Sequence, residues 1–241
     1  MWPFKTKKDV DTYRQKSLTG FTDWHSHILP GVDDGIKTLE DSLEVLRKYD
    51  EAGIKKIWLT PHIMEDFPNT TSELRKRFEE LRDAWTGNVE LGLASENMLD
   101  TLFDERLKSD DLLPIGDGGD NLLVETSYFS APMGFDHMIE EIMHHGYRPV
   151  IAHPERYMYM DHDSYRRLHE KGVVFQLNLP SLTGAYGDKV RKKAVWLMKE
   201  GLVDIIGCDL HRTEQFTRIF GDVKHADKWF DKALSLGTEF E

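Results

Sequence analysis

Short apolar runs alternate with amphipathic stretches along nearly the whole chain. The runs are rich in Val, Ile and Leu, and polar residues, glycine or proline bound them, which is typical of buried parallel strands. The predicted strands are Leu18–Trp24, Lys56–Leu59, Val89–Leu93, Leu122–Val124, Pro149–Ala152, Val173–Leu177 and Val203–Ile206. Because helix-like stretches separate them, the pattern predicts an α/β fold whose parallel strands form a barrel, incomplete or distorted.

The stretches between the strands have the period of amphipathic helices. Thr38 is suited to cap the first of them, and Gly53 stands where a helix commonly ends. The predicted helices are Thr38–Ala52, Ser72–Trp85, Phe135–His145, His162–Lys171, Asp188–Lys199 and Thr213–Leu236, the last broken near Gly221. We expect residues 18–241 to form one barrel domain, preceded by an N-terminal extension of residues 1–17.

The composition of the chain argues against several classes of function. The chain has 241 residues with 43 acidic and 31 basic side chains, and its net charge of −12 argues against a broad nucleic-acid surface. A single cysteine, Cys208, permits no internal disulfide and fits a reducing compartment, so we expect a cytoplasmic protein. No apolar run approaches the roughly 20 residues that span a bilayer. The aromatic and basic start, Met1–Lys8, is either a frayed terminus or a segment that touches a membrane surface or a partner.

Ligand-type side chains recur where the predicted strands end. In a parallel barrel these ends meet at one face, where functional residues gather. The candidate metal ligands are His25, His27, Asp34, His62, Glu96, Glu125, His153, Asp209 and His211. Residues two apart on an extended segment point to the same side, so His25 and His27 can bind one ion. Asp209 and His211 repeat that spacing at the last strand.

The donor types indicate which ions fit. Mixed imidazole and carboxylate ligands suit manganese, iron or zinc, and nine of them allow two or three ions. Glu96 is a candidate bridging ligand, because one carboxylate can serve two cations. The sequence therefore predicts a site for several divalent metals.

An arginine beside this set indicates an anionic substrate. Arg156 follows His153 by three residues, and a guanidinium binds phosphate bidentately. The alternative is an ion pair with a neighbouring acid such as Glu155 or Asp163. Arg212 and Arg218 are weaker candidates for phosphate binding, and Asn178 either donates to the substrate or closes the barrel mouth.

A thiol-based mechanism is not expected. A cysteine-dependent phosphatase needs an arginine six residues after its nucleophile, but Glu214 stands six residues after Cys208. We therefore expect Cys208 to be a small buried residue at a strand end.

Several segments together resemble a known family. They are the stretch Asp23–Gly35 (DWHSHILPGVDDG), Leu59–His62 (LTPH), Ser95–Glu96, Leu123–Glu125 (LVE), Ile151–Arg156 (IAHPER) and Asp209–His211 (DLH). The sequence resembles the polymerase-and-histidinol-phosphatase (PHP) superfamily. Within it, the chain is most similar to the bacterial manganese-dependent tyrosine-protein phosphatases of capsule and exopolysaccharide operons.

The resemblance implies a distorted (β/α)7 TIM-like barrel with three divalent ions, most often Mn²⁺, at the carboxyl ends of the strands. Carried over by position, His25, His27, Glu96 and Asp209 hold the first ion. Glu96, Glu125 and His153 hold the second, with Glu96 bridging. Asp34, His62 and His211 hold the third, and only the resemblance chooses Asp34 over Asp33.

The implied activity is hydrolysis of phosphotyrosine by a metal-bound hydroxide, without a covalent phosphoenzyme. Arg156, Glu96 and Asp209 are then the residues that turnover depends on, and Arg156 binds the phosphoryl group together with Arg212 or Arg218. The implied substrate is the phosphotyrosine-rich tail of a bacterial tyrosine kinase that controls polysaccharide export. The alternatives are a small-molecule phosphatase such as histidinol-phosphate phosphatase, a metal-dependent amidohydrolase, and a non-catalytic metal-binding scaffold.

Overall fold

A computed structural model describes residues 18–220 and 228–236. In this part of the chain, every pair of neighbouring strands in the two sheets is parallel. The strands are β1 Thr22–Ser26, β2 Lys56–Leu59, β3 His62–Ile63, β4 Glu90–Leu93, β5 Glu96–Met98, β6 Asn121–Glu125, β7 Arg148–Ala152, β8 Val174–Asn178 and β9 Ile205–Gly207. The predicted α/β fold with parallel strands is confirmed. The predicted N-terminal extension, residues 1–17, lies outside the described residues.

Helices occupy the connections between the strands. They are α1 Leu39–Glu51, α2 Thr71–Ala84, α3 Thr101–Ser109, α4 Phe135–His144, α5 His162–Glu170, α6 Leu179–Thr183, α7 Asp188–Glu200, α8 Thr213–Phe220 and α9 Lys228–Leu236, with a short 3₁₀ helix at Pro154–Arg156. None of the helices in the described ranges is long and apolar enough to cross a membrane. The predicted break near Gly221 falls outside the described residues.

Local sequence explains where the first two helices begin. The Thr38 hydroxyl accepts a hydrogen bond from the backbone N–H of Asp41 and so caps α1. Thr70 and Glu73 form a reciprocal capping box at the start of α2. The bounds of α1 and α2 therefore lie within one residue of those that the pattern predicts.

The sheet is more interrupted than the sequence predicts. Two short strands, β3 and β5, follow β2 and β4 after breaks at Thr60–Pro61 and Ala94–Ser95. The strands consequently form two sheets, in the orders β1-β2-β4 and β3-β5-β6-β7-β8-β9. Two helices, α3 and α6, were not predicted. In the case of α6 the reason is that it is short and begins with a Leu-Pro pair that is typical of a turn.

Alternating side chains divide the interior into two apolar clusters. On β7, Ile151 packs in the larger cluster among the helices, whereas Val150 and Ala152 belong to a smaller one. The smaller cluster contains Trp24, Trp58, Ala94, Ile115, Leu123, Val150, Ala152, Val174 and Ile205. Strands from both sheets contribute to it, so the two sheets curl around a shared interior.

The edge strands β1 and β9 of the two sheets meet beside the candidate site. Ser26 forms a parallel bridge with Leu210, and the backbone N–H of Asp209 donates to the carbonyl of His25 at 2.7 Å. Asp23 secures this junction, because its carboxylate accepts from the Cys208 backbone N–H at 2.8 Å and from the Tyr49 hydroxyl at 2.8 Å. Burial raises the pKa of Asp23 even though these hydrogen bonds act against the rise.

The closeness of β1 and β9 generates the first prediction. A methyl group on Gly207 would lie 2.4 Å from the His25 Cβ and 2.7 Å from the Gln176 Nε2. We expect Gly207→Ala to lower the free energy of unfolding by about 1–3 kcal/mol through overpacking, measured by urea denaturation.

Gly118→Ala is the matched control, because the added methyl group meets a side-chain oxygen of Asp120 at 3.0 Å, which can move away. Equal stability of the two variants would contradict the tight packing between β1 and β9.

Candidate metal centre

The nine predicted ligand residues converge at the junction of the two sheets. Their nitrogen and oxygen atoms form four overlapping groups, and within each group the atoms lie within 4.8 Å of one another. The groups are His27, Asp34, His62 and His211; His25, His27 and Asp209; His25, Glu96 and His153; and His62, Glu96 and Glu125. The structure therefore brings together residues that are far apart in sequence.

The pair of histidines on the first strand points inward, as the spacing predicts. His25 lies on β1 and His27 follows it, and both are fully buried. Their Nε2 atoms are 3.1 Å apart, and each is 3.2 Å from Oε2 of Glu96. Because the two nitrogens converge on one point, both can offer a lone pair to the same cation once their protons have left.

Glu96 lies at the centre of the cluster. It is fully buried on β5, and its Oε1 is 2.9 Å from the His153 Nε2. Its Oε2 has no hydrogen-bond partner, and neither do Nδ1 of His62 and Oε1 of Glu125, although contacts of 3.1 Å join these atoms. Buried polar atoms usually find partners. Converging donors without partners are what a set of metal ligands offers, so these residues fit divalent cations.

Charges within the protein shift the proton affinities of these groups. Burial by itself lowers the pKa of His25, but the carboxylates of Glu96 and Asp209 outweigh it and raise that pKa to about 9. The pKa of Glu96 lies well below its usual range, because the positive charges on His25 and His62 outweigh the effect of burial. Without metal, protons on the histidines therefore balance the buried carboxylates.

The two adjacent aspartates have different surroundings. The Asp33 carboxylate is buried, lies 2.8 Å from the His27 Nδ1 and accepts from the backbone N–H of Gly35 at 2.9 Å. Asp34 is exposed, and its Oδ1 is 3.5 Å from the His62 Nε2 and 3.4 Å from the His211 Nε2. Asp33 thus orients a histidine from behind, whereas Asp34 faces the cluster.

Two further residues that support the ligands lie on β8. Gln176 Oε1 is 2.7 Å from the His25 Nδ1, and Gln176 donates to the Asn178 side chain at 3.0 Å. Asn178 in turn donates to Oδ2 of Asp209 at 2.7 Å. Sequence reasoning missed Gln176, because it lies within an apolar strand and has no motif. The role that Asn178 plays here was also not anticipated.

Strained backbone marks the same place. In the described part of the chain, three non-glycine residues have a positive φ, and two of them are His153 at 33° and Asp209 at 51°. Each directly follows a strand or lies two residues beyond one. Backbone strain of this kind costs about 1–3 kcal/mol and concentrates at functional sites.

Arg156 is held on three sides. Its Nη1 donates to Oδ2 of Asp209 at 2.9 Å, and its guanidinium lies over the rings of Tyr128 at 4.1 Å and Tyr186 at 4.5 Å. Sequence reasoning missed both tyrosines, because they lie in loops outside the matched motifs.

The alternative ion pairs for Arg156 are not formed. The Glu155 carboxylate is buried and accepts from the Asn178 backbone N–H at 3.0 Å and the Ser181 hydroxyl at 2.6 Å. Asp163 pairs with Arg166 at 3.3 Å instead. Arg156 is therefore oriented by a residue of the candidate metal set.

A pocket of about 270 Å³ opens onto this cluster. Its lining residues are Asp34, His62, Glu96, Tyr128, His153, Arg156, Tyr186, Asp209, His211, Arg212 and Gln215. Arg212 is an exposed member of the lining, whereas Arg218 on α8 is exposed and does not line this pocket. Of the two candidates for a second phosphate-binding arginine, Arg212 is the one at the pocket.

Cys208 lies beneath the site and does not line the pocket. It is fully buried, and burial raises the pKa of its thiol well above the usual value. A buried thiol of this kind stays protonated, which agrees with the structural role predicted for it.

Comparisons with known proteins agree with the geometry. The chain is 28% identical over 214 residues to the tyrosine-protein phosphatase YwqE of Bacillus subtilis, covering 80% of this chain and 78% of that one. It is 29% identical over 211 residues to the tyrosine-protein phosphatase CpsB of Streptococcus agalactiae, covering 80% and 83%.

A solved structure shares the fold. It comes from a study of YwqE from Bacillus subtilis and CpsB from Streptococcus pneumoniae, described as unique metal-dependent tyrosine phosphatases. The TM-score is 0.74 at 24% identity, and the match covers 90% of this chain and 94% of the other. Residues 21–233 match the family described as capsular polysaccharide synthesis, CpsB/CapC, and the chain belongs to that family.

Proposed function

We propose that this protein is a metal-dependent tyrosine-protein phosphatase that hydrolyses phosphotyrosine. The observation that carries the proposal is the meeting of unpartnered buried metal-donor atoms with one oriented arginine in a single small pocket. Phosphate-ester hydrolysis needs cations to offset charge and a fixed donor to hold the phosphoryl oxygens. The relatives named tyrosine-protein phosphatases support the choice of substrate.

The two curled sheets form, in our proposal, a distorted (β/α)7 barrel with its metal site at the carboxyl ends of the strands. Only two residues separate β2 from β3 and β4 from β5. When each of these pairs is counted as one interrupted strand, the nine strands become seven. The backbone bridge between Ser26 and Leu210 supports closure.

This proposal includes three divalent ions, with Mn²⁺ as the first choice. His25, His27, Glu96 and Asp209 would hold the first. Glu96, Glu125 and His153 would hold the second, and Asp34, His62 and His211 would hold the third. Fe and Zn also suit such mixed ligands. When bound, divalent ions lower the pKa of a water molecule and neutralise charge on the phosphoryl group.

The chain's own residues supply the remaining work. Arg156 binds phosphoryl oxygens through its planar fork, and the rings of Tyr128 and Tyr186 restrict how the guanidinium turns. Arg212 contributes a second positive charge at the rim of the pocket. Gln176 and Asp33 keep His25 and His27 in fixed orientations.

We propose a phosphorylated protein as substrate, specifically the tail of a bacterial tyrosine kinase that controls capsule synthesis. Membership of a capsular polysaccharide family supports this role. The cytoplasmic location and the membrane proximity of the N-terminal segment stay predictions.

Phosphate release tests the function directly. We expect metal-stripped protein to be inactive and to regain release from a phosphotyrosyl peptide on adding Mn²⁺, because the donor cluster is then filled. Histidinol phosphate is measured alongside. Faster release from histidinol phosphate would assign a small-molecule phosphatase, and no release from either with metal bound would favour a scaffold or an amidohydrolase.

Substitutions separate metal binding from substrate binding. We expect His25→Ala, Glu96→Ala and Asp209→Ala to lose bound metal and turnover together. Arg156→Ala should keep its metal and lower kcat/KM about a hundredfold, as loss of one charged donor does. Metal content is measured by plasma mass spectrometry, with the exposed His144→Ala as control. Full activity in all three ligand variants would refute the assignment.

Metal binding should strengthen as pH rises. The proton on His25, whose pKa is about 9 in the metal-free protein, must leave before this residue binds a cation. The raised pKa stabilises the metal-free fold below pH 6.5, and that contribution is lost as pH rises toward 9. The increase in Tm caused by Mn²⁺ should therefore be larger near pH 9 than at pH 6.5, measured by calorimetry. An increase that shrinks with pH would be contrary to this linkage.

A further inference from the structure

Three large apolar side chains remain exposed in residues 18–220 and 228–236. They are Phe129, Met133 and Met158, which are 81%, 99% and 53% exposed. All three belong to two neighbouring loops, one after β6 and one after the 3₁₀ helix. Phe129 and Met158 lie beside the backbone hydrogen bond that joins the loops, and we call this pair the apolar rim; Met133 lines a separate pocket with Leu99 and Met138. Exposed apolar side chains gathered in one place mark an interaction surface more often than scattered ones do.

Hydrogen bonds join the two loops that carry the rim. The backbone N–H of Met158 donates to the carbonyl of Tyr128 at 2.7 Å. The hydroxyls of Thr126 and Tyr159 are 2.6 Å apart, and the Thr126 backbone N–H donates to the Tyr157 hydroxyl at 3.1 Å. The rim is therefore presented by ordered backbone, which lowers the entropic cost of binding.

The rim continues directly from the candidate metal pocket. Phe129 follows Tyr128, whose ring lies over Arg156 inside the pocket, and Met158 follows that arginine by two residues. The pocket of about 270 Å³ is slightly smaller than most ligand pockets, which measure about 300–1,000 Å³. It has room for one phosphorylated side chain, so the polypeptide that carries this side chain must lie over the surrounding loops.

The charge of these loops fits a phosphorylated polypeptide. In a chain with 31% charged residues, neither 126–135 nor 157–160 contains a charged side chain. An anionic substrate therefore meets no carboxylate within these two stretches, although the net charge of the whole chain is −12. The next acid, Asp161, ends the second loop and caps the following helix by accepting from the Ser164 backbone N–H at 2.9 Å. A second copy of the chain seated on the rim would obstruct the pocket, which makes the substrate the better occupant.

We propose that the apolar rim binds the substrate polypeptide beside its phosphotyrosine and prefers an apolar or aromatic residue next to it. This inference rests on the proposed function, because it assigns the phosphotyrosine to the adjacent pocket. The rim then determines which phosphotyrosines are hydrolysed, whereas the metal ligands and Arg156 determine that hydrolysis occurs.

The test compares two double variants of the metal-loaded enzyme. In one, Phe129→Ser and Met158→Ser remove the apolar surface; in the other, Phe129→Leu and Met158→Leu retain it. The substrates are a phosphotyrosyl peptide with Phe and Leu beside the phosphotyrosine, the same peptide with Ser at those places, and p-nitrophenyl phosphate. Ser130→Ala, an exposed change in the same loop, is the matched control.

We expect the serine variant to raise KM for the apolar peptide about tenfold and to leave kcat unchanged. Its kinetics on p-nitrophenyl phosphate should also be unchanged, because that substrate has no flanking residues. The leucine variant and the control should behave as the wild type. An unchanged KM for the apolar peptide, or an equal loss on all three substrates, would overturn the proposal.

Binding measurements separate failure of the rim from failure of the proposed function. A fluorescent peptide carrying a non-hydrolysable phosphonate in place of the phosphate is titrated with each metal-loaded protein. Rim-dependent binding without any hydrolysis would uphold the rim and reject the phosphatase. Hydrolysis of phosphotyrosine, together with equal peptide binding by the serine variant and the wild type, would uphold the phosphatase and reject the rim. Sedimentation of the same proteins completes the test: loss of a dimer in the serine variant, with unchanged peptide binding, would assign the rim to self-association and overturn the proposal.

Discussion

The structure depends on one electrostatic constraint, which is that buried carboxylates must be balanced. Glu96 is fully buried, and Glu125 and Asp209 are nearly so. An ionised carboxylate removed from water costs several kcal/mol unless a positive charge or several donors lie beside it. Five imidazoles surround these acids, and in the metal-free protein the raised pKa values of His25, His27 and His62 supply the missing charge. Divalent cations would supply the same balance without protons, which is why this cluster can be both buried and functional.

The fold holds the candidate ligands in place through contacts on the side that faces away from the cluster. Asp33 and Gln176 each contact a Nδ1 atom, which leaves the Nε2 atoms of His27 and His25 facing inward. Asp23 performs the same task for the backbone, because its carboxylate joins β1 to the segment that follows β9. Such supporting contacts fix the ring orientation and hence the geometry available to an ion. The strained backbone at His153 and Asp209 is tolerated because the neighbouring strands leave it no alternative.

Much of this arrangement could be predicted from the sequence. The alternation of apolar runs and amphipathic stretches located the long strands and helices, since both depend on local periodicity. Eight of the nine candidate ligands could be singled out because metal-donor types at successive strand ends have a chemical signature, whereas only the family resemblance chose Asp34 over Asp33. Gln176, Tyr128 and Tyr186 were not, because an amide within an apolar strand or a tyrosine in a loop becomes meaningful only when the fold brings it to His25 or Arg156. The breaks that produce β3 and β5 depend on pairing between distant segments, which no local pattern reveals.

Asp209 links the metal donors to the arginine. Its Oδ1 lies 3.4 Å from the His27 Nε2 and from the His211 Nδ1, so this oxygen faces the imidazoles. Its Oδ2 accepts instead from Arg156 and Asn178. One oxygen is thus available to a cation while the other orients the guanidinium. The rings of the two tyrosines restrict the rotation of the guanidinium plane. Because a single carboxylate contacts both, the arginine proposed to bind phosphate is correctly oriented only where the metal-donor cluster is correctly formed. That shared residue couples the two halves of the proposed site through direct contact rather than through a conformational change.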